Sequence, residues 1–221
     1  PQNGSMNARV DQLLQWTAGT GATSHDVYFG DDMVAVTDAT RDTTDLFKGN
    51  QSGLNFDPED ENATEEGQLL GSTTYYWRID ERGPGGAATG DVWTFTTRAP
   101  PPMIGNPNPA DTDIDVDIDS VLTWTAPSSV ESFDVYLGVD PVDVTLGDRN
   151  SPEFFGNQTT KNFTPGTLLA DTDYYWRIDT RGPGGTTMGL VLTFRTADVP
   201  AQAMLVAPAH QAQDQDVEVS L

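Results

Sequence analysis

Apolar residues in this chain fall in short alternating runs, and none keeps the three-and-four spacing of a helix over three turns. In residues 74–80, Tyr75, Trp77 and Ile79 share one side of an extended segment, while Tyr76, Arg78 and Asp80 take the other. Residues 91–97 place Trp93 and Phe95 on one face, and Leu192 with Phe194 does the same near the other end. Leu14 with Trp16, and Leu122 with Trp124, predict an inward pair from an early strand. Residues 26–30, Asp-Val-Tyr-Phe-Gly, read as a strand closed by a glycine turn. Clusters of Gly, Pro, Asp and Asn separate these runs, as turns do in an antiparallel protein. About seven such strands per ~100 residues is the count expected of a two-sheet sandwich.

The runs also repeat. Tyr75-Tyr76-Trp77-Arg78-Ile79-Asp80 returns as Tyr174-Tyr175-Trp176-Arg177-Ile178-Asp179, and Arg82-Gly83-Pro84-Gly85-Gly86 returns as Arg181-Gly182-Pro183-Gly184-Gly185. Upstream, Asp26-Val27-Tyr28 matches Asp134-Val135-Tyr136 at a larger offset. An acidic insertion at residues 59–66, which predicts a surface loop, makes up most of the difference. Three units follow: 1–98, 99–197, and 198–221 as the opening of a third. With Pro1 at the start and an end just short of the expected third Trp, the chain is expected to be an internal window of a longer array.

Three features carry a family resemblance. Leu14-Gln15-Trp16 is an early strand ending in a core Trp, and Leu70-x-x-x-x-Tyr75-x-Trp77-x-Ile79 is similar to the tyrosine corner of fibronectin type III domains. Leu169-x-x-x-x-Tyr174-x-Trp176-x-Ile178 repeats that corner, and Trp93-Thr94-Phe95-Thr96-Thr97 resembles the last strand of the bacterial members in large surface proteins. The resemblance covers nearly the whole chain. It implies an all-β fold of tandem antiparallel Ig-like, fibronectin type III-like β-sandwiches. Function is left open, since this fold serves many roles.

Charge narrows the partners. With 34 acidic against 11 basic residues the net charge is −23, which disfavours nucleic acid and anionic lipid. No apolar run approaches the ~18 residues of a membrane span. The acidity fits either a salty environment or bound Ca²⁺, which prefers oxygen ligands. Cysteine is absent, which excludes disulfides, thiolate metal sites and cysteine nucleophiles, and makes a prokaryotic surface the preferred origin.

Candidate Ca²⁺ ligands are Asp113, Asp115, Asp117 and Asp119, a row of carboxylates on a predicted strand that turns Ile114, Val116 and Ile118 inward, with Asp140 and Asp143 in a later loop. A straight strand offers one ion only one or two of the six to eight oxygens it takes, so a solvated acidic edge is the competing reading. Asp31-Asp32 and Asp140 also suit turns that bond their own backbone. Arg82, Gly83 and Pro84, with Arg181, Gly182 and Pro183, read as tight loops or as a contact surface where an Arg meets an acidic neighbour. Tyr76 and Tyr175, predicted outward, are the candidates for stacking on a glycan. Asn3, Asn50, Asn62, Asn157 and Asn162 open Asn-x-Ser/Thr triplets, which signal glycosylation but also arise by chance in a Thr-rich chain.

No hydrolase, zinc-protease or phosphate-loop motif occurs, and His25 and His210 occupy non-equivalent positions. The expectation is a non-catalytic, extracellular structural array, such as an adhesin, stalk, surface layer or fibre. Residues 99–102 and 199–200 would act as stiff Pro-rich linkers, and the chain would self-associate with neighbouring repeats or subunits. Residues 217–221 could add a strand to a neighbour's sheet edge. The alternative is a spacer or carbohydrate-binding module of a large secreted hydrolase.

Overall fold

A computed structural model describes residues 1–60, 62–63 and 67–200. The first half contains β1 (Ser5–Ala8), β2 (Leu14–Gln15), β3 (Ser24–Gly30), α1 (Met33–Asp38), β4 (Phe47–Gln51), β5 (Asn55–Phe56), β6 (Thr74–Gly83), β7 (Gly86–Ala88) and β8 (Trp93–Thr97). The second begins with an additional strand, β9 (Gly105–Asn108). It continues with β10 (Asp113–Val116), β11 (Leu122–Thr125), β12 (Ser132–Gly138), α2 (Pro141–Leu146), β13 (Phe154–Gln158), β14 (Asn162–Phe163), β15 (Asp173–Gly182), β16 (Gly185–Thr187) and β17 (Leu192–Thr196).

Each half is a fibronectin type III-like sandwich. The larger sheets have the orders β1-β8-β6-β3-β4 and β10-β17-β15-β12-β13, with β7 and β16 paired to β6 and β15. The facing sheets are β2-β5 in the first half and β14-β11-β9 in the second. β3 pairs antiparallel with β6 from Ser24↔Arg82 to Gly30↔Tyr76, and β12 with β15 from Ser132↔Arg181 to Gly138↔Tyr175. Gly86 and Gly185 turn the β6–β7 and β15–β16 hairpins at φ 116° and 108°, in the left-handed region that glycine tolerates.

The cores follow the alternation. Leu14, Phe29, Tyr75, Trp77 and Phe95 are buried in the first, and Leu122, Phe133, Tyr174, Trp176, Ile178 and Phe194 in the second. The tyrosine corner forms twice: Leu70 N donates to the Tyr75 hydroxyl at 2.9 Å, and Leu169 N to Tyr174 at 3.0 Å.

Three expectations are corrected. Ile114 points outward, 70% exposed, because Asp115 adopts φ 58° and the β10–β17 register slips there, while Val116 and Ile118 do pack on the core. Trp93 lies at the end of its strand and stays 40% exposed. The outer faces of β6 and β15 are covered as well, because α1 and α2 lie across them; Arg78, Asp80, Arg177 and Asp179 are buried. Asp32 caps α1 by accepting from Ala35 N at 2.8 Å, and Asp140 caps α2 by accepting from Val142 N at 2.8 Å, with Pro141 in the first turn.

The third-unit opening beyond residue 200, His210 and the strand expected at 217–221 lie outside the described residues.

Candidate interaction surfaces and buried charge sites

Arg78 and Arg177 tie the short helices to the sheets. Arg177 is 1% exposed, and its Nη1 donates to the carbonyls of Val144 and Thr145, both at 2.7 Å. Its Nη2 donates to Gly147 O at 2.8 Å and to Asp179 Oδ2 at 3.0 Å, and the guanidinium stacks 4.1 Å from the Tyr136 ring centre. Arg78 repeats this on Val36, Thr37, Ala39, Asp80 and Tyr28. A helix of six residues leaves nearly all its last carbonyls unpaired, and a buried guanidinium with five donors meets several of them at once.

A second buried charge centres on Asp26. Arg41 donates to both its oxygens at 2.6 and 2.8 Å, Arg82 Nε to Oδ2 at 2.6 Å, and Asn50 to Oδ1 at 2.7 Å. Burial alone would raise this carboxyl, but the donors from Arg41, Asn50 and Arg82 outweigh it and hold it below the usual carboxylate range. Asp134 gathers Arg149, Arg181 and Asn157 in the same way. Arg82 and Arg181 each hold an acid of their own sandwich, Asp26 and Asp134, from the strand paired with the one that carries it. Asn50 and Asn157 serve the same carboxylates, a hydrogen-bonding role that explains their equivalent positions.

The carboxylates proposed for Ca²⁺ are not brought together. Asp113 accepts from Ala110 N at 2.7 Å, Asp117 accepts from Asp119 N at 2.8 Å, Asp119 accepts from Thr167 Oγ1 at 2.7 Å, and Asp140 caps α2. Asp115 and Asp143 are exposed. Among the described residues no three His, Asp or Glu side chains gather as a metal site. Tyr76 and Tyr175 are half-buried rather than free, and Tyr76 packs against the cluster of Tyr28, Val36 and Ala39 under α1. His25 is buried with Glu81, Nδ1 lying 2.5 Å from Oε2. Among the described residues no helix is long and apolar enough to cross a membrane.

The loops after Arg82 and Arg181 share their sequence and differ in surroundings. Pro183 and Gly184 are buried where the sandwiches meet, whereas Pro84 and Gly85 are exposed. Val10 N of the first sandwich donates to Pro183 O at 3.0 Å. A Cβ on Gly184 would overlap the carbonyl oxygens of Arg98 and Ala99, and one on Gly71 would overlap that of Gly184. Thr187 Oγ1 donates to Pro101 O at 2.5 Å and Thr180 Oγ1 to Pro102 O at 3.0 Å, pinning the linker along the second sandwich. Sequence comparison alone gives both loops one environment; the missing signal is the partner, which among the described residues the second loop alone has.

No protein-family model matches the chain. No curated protein matches it either. Among solved structures, the chicken CNTN1 FN1–FN3 domains superpose with a TM-score of 0.39 at 11% identity, covering 89% of this chain and 66% of that one. The fold assignment rests on the strand order and the two tyrosine corners.

Proposed function

We propose that the chain is a non-catalytic extracellular structural element: two sandwich repeats, 1–98 and 99–197, with a third opening at 198–221, serving to space or assemble a cell-surface or filament-forming array. The junction carries this reading. A flexible tether would leave the facing poles solvated. Here a backbone hydrogen bond, two interlocked glycines and a linker bonded at Pro101 and Pro102 fix one sandwich against the other. Three consecutive prolines at 100–102 restrict the linker further. An acidic, mutually repelling surface suits an extended array better than a compact one.

The test uses the absence of native cysteine. Spin labels placed through Lys48→Cys and Lys161→Cys, one on each sandwich, should give a single narrow distance distribution. Gly184→Val should broaden it, by forcing the junction open, while far-ultraviolet circular dichroism stays unchanged. A broad distribution in the parent chain would overturn the reading.

A further inference from the structure

The joint between the sandwiches has a presenting side and a receiving side. The presenting loop, Arg181 to Gly185, has the same sequence as the loop at Arg82, so nothing in it distinguishes one sandwich from the other. The receiving side does. A Cβ on Gly71 would overlap Gly184 O and lie 2.8 Å from Cγ and Cδ of Pro100, and a Cβ on Gly184 would overlap Ala99 O. Backbone meets backbone here, with no room for a side chain. Beside this crossing Val10 N donates to Pro183 O at 3.0 Å, and Arg9 Nη1 donates to Glu131 Oε1 at 3.3 Å.

The same places in the second sandwich are filled differently. Leu70 N and Leu169 N donate to the two corner tyrosines, which sets Gly71 level with Ala170. Leu69 N donates to Val10 O and Leu168 N to Ile118 O, both at 2.8 Å, which sets Arg9 level with Asp117. The corner itself accepts either residue. Thr73 Oγ1 donates to Gly71 O at 3.1 Å and Thr172 Oγ1 to Ala170 O at 2.8 Å. The next residues, Ser72 and Asp171, share a left-handed φ of 57° and 50°. Glycine at 71 is not a need of its own hairpin; what requires it is the loop of the following sandwich.

We infer that this corner position selects the joint a sandwich makes with its follower. Glycine, as at 71, admits the follower's Arg-Gly-Pro-Gly-Gly loop to backbone contact and locks the pair. Alanine, as at 170, holds the same loop off, because its methyl needs at least the 3.4 Å of ordinary contact. A loop pushed back that far draws its proline carbonyl away from the amide that Val10 supplies in the first joint. Asp117 acts in the same direction, since it reverses the charge with which Arg9 meets Glu131. Sandwiches 1–98 and 99–197 are then a locked pair, and a third unit presenting this loop would follow them in a different pose.

This inference rests on the fixed-junction reading above, and the experiment separates the two. Gly71→Ala gives the first sandwich the residue its counterpart carries. In the chain labelled at positions 48 and 161, it should replace the narrow distance distribution by a broader or displaced one. Amide exchange at Val10, followed by nuclear magnetic resonance, should quicken about tenfold. Exchange at Leu70, whose amide bonds Tyr75 within the corner, should stay as in the parent. Ala170→Gly, at the corner outside this joint, should leave the distance unchanged. A Gly71→Ala chain that keeps the parent's distribution and Val10 exchange would overturn the inference. So would one in which Leu70 exchange quickens as much as that of Val10, because the glycine would then serve its own corner. A broad distribution in the parent removes the fixed junction and this inference with it; a narrow one indifferent to Gly71→Ala leaves the junction standing and removes only the selecting role.

Discussion

Arg177→Met tests whether the buried guanidinium holds the second sandwich together. In the parent, four hydrogen bonds of 2.7 to 3.0 Å reach three backbone carbonyls and Asp179, and the group also stacks on Tyr136. Methionine keeps the volume and loses every donor. The carbonyls of Val144, Thr145 and Gly147 lose this partner, and Asp179, 6% exposed, loses its cation. Removing one partner of a buried ion pair costs about 3–5 kcal/mol, against a total of about 5–15 kcal/mol for a domain. At about 1–3 kcal/mol per molar urea, the midpoint should fall by more than about 1 M. Hydrogen exchange read by mass spectrometry should localise the loss to residues 132–147. Adding Asp179→Leu should restore part of it, since no charge is then left alone. A loss below about 1 kcal/mol, on the scale of a surface substitution, would show that water or a shifted α2 satisfies those carbonyls, and the reasoning would fail.

Asp26 gives a pH signature. Its folded-state pKa is lowered, so its stabilisation is fully present above the unfolded carboxyl value, near pH 4, and is lost as pH falls through the lower folded value. Asp26→Asn should be less stable than the parent at neutral pH, with the difference shrinking below about pH 4 in acid-titrated urea melts; a constant difference across that range would refute it. Tyr174→Phe removes the acceptor of Leu169 N and should cost about 1 kcal/mol, read from the urea midpoint, whereas an unchanged midpoint would show that the corner bond contributes nothing net. Asp140→Ala removes the α2 cap and should cost about 1 kcal/mol, with the loss of exchange protection confined to residues 141–147.

What could be read from sequence divides along a physical line. Tyr75, Trp77, Phe95 and their partners were legible because a strand's two-residue period assigns each side chain to a face, and the spacing of a repeat fixes which strands correspond. Period assigns a face without saying what covers it. Arg78 and Arg177 therefore read as outward residues until α1 and α2 are seen lying over them. Those helices are six residues long, too short for a helical period, and the one local trace of each is a capping Asp, with Pro141 beside it in the second. Period alone turns Ile114 inward, but a single left-handed residue, Asp115, shifts the alternation.

The paired loops make the same point at larger scale. Arg-Gly-Pro-Gly-Gly occurs twice, and in both copies its arginine holds a buried aspartate, so the local sequence specifies the hairpin and that ion pair equally well. Yet Pro183 is buried and Pro84 is exposed. Identical residues cannot account for the difference; only what stands against them can. Burial at this position therefore reports a neighbour.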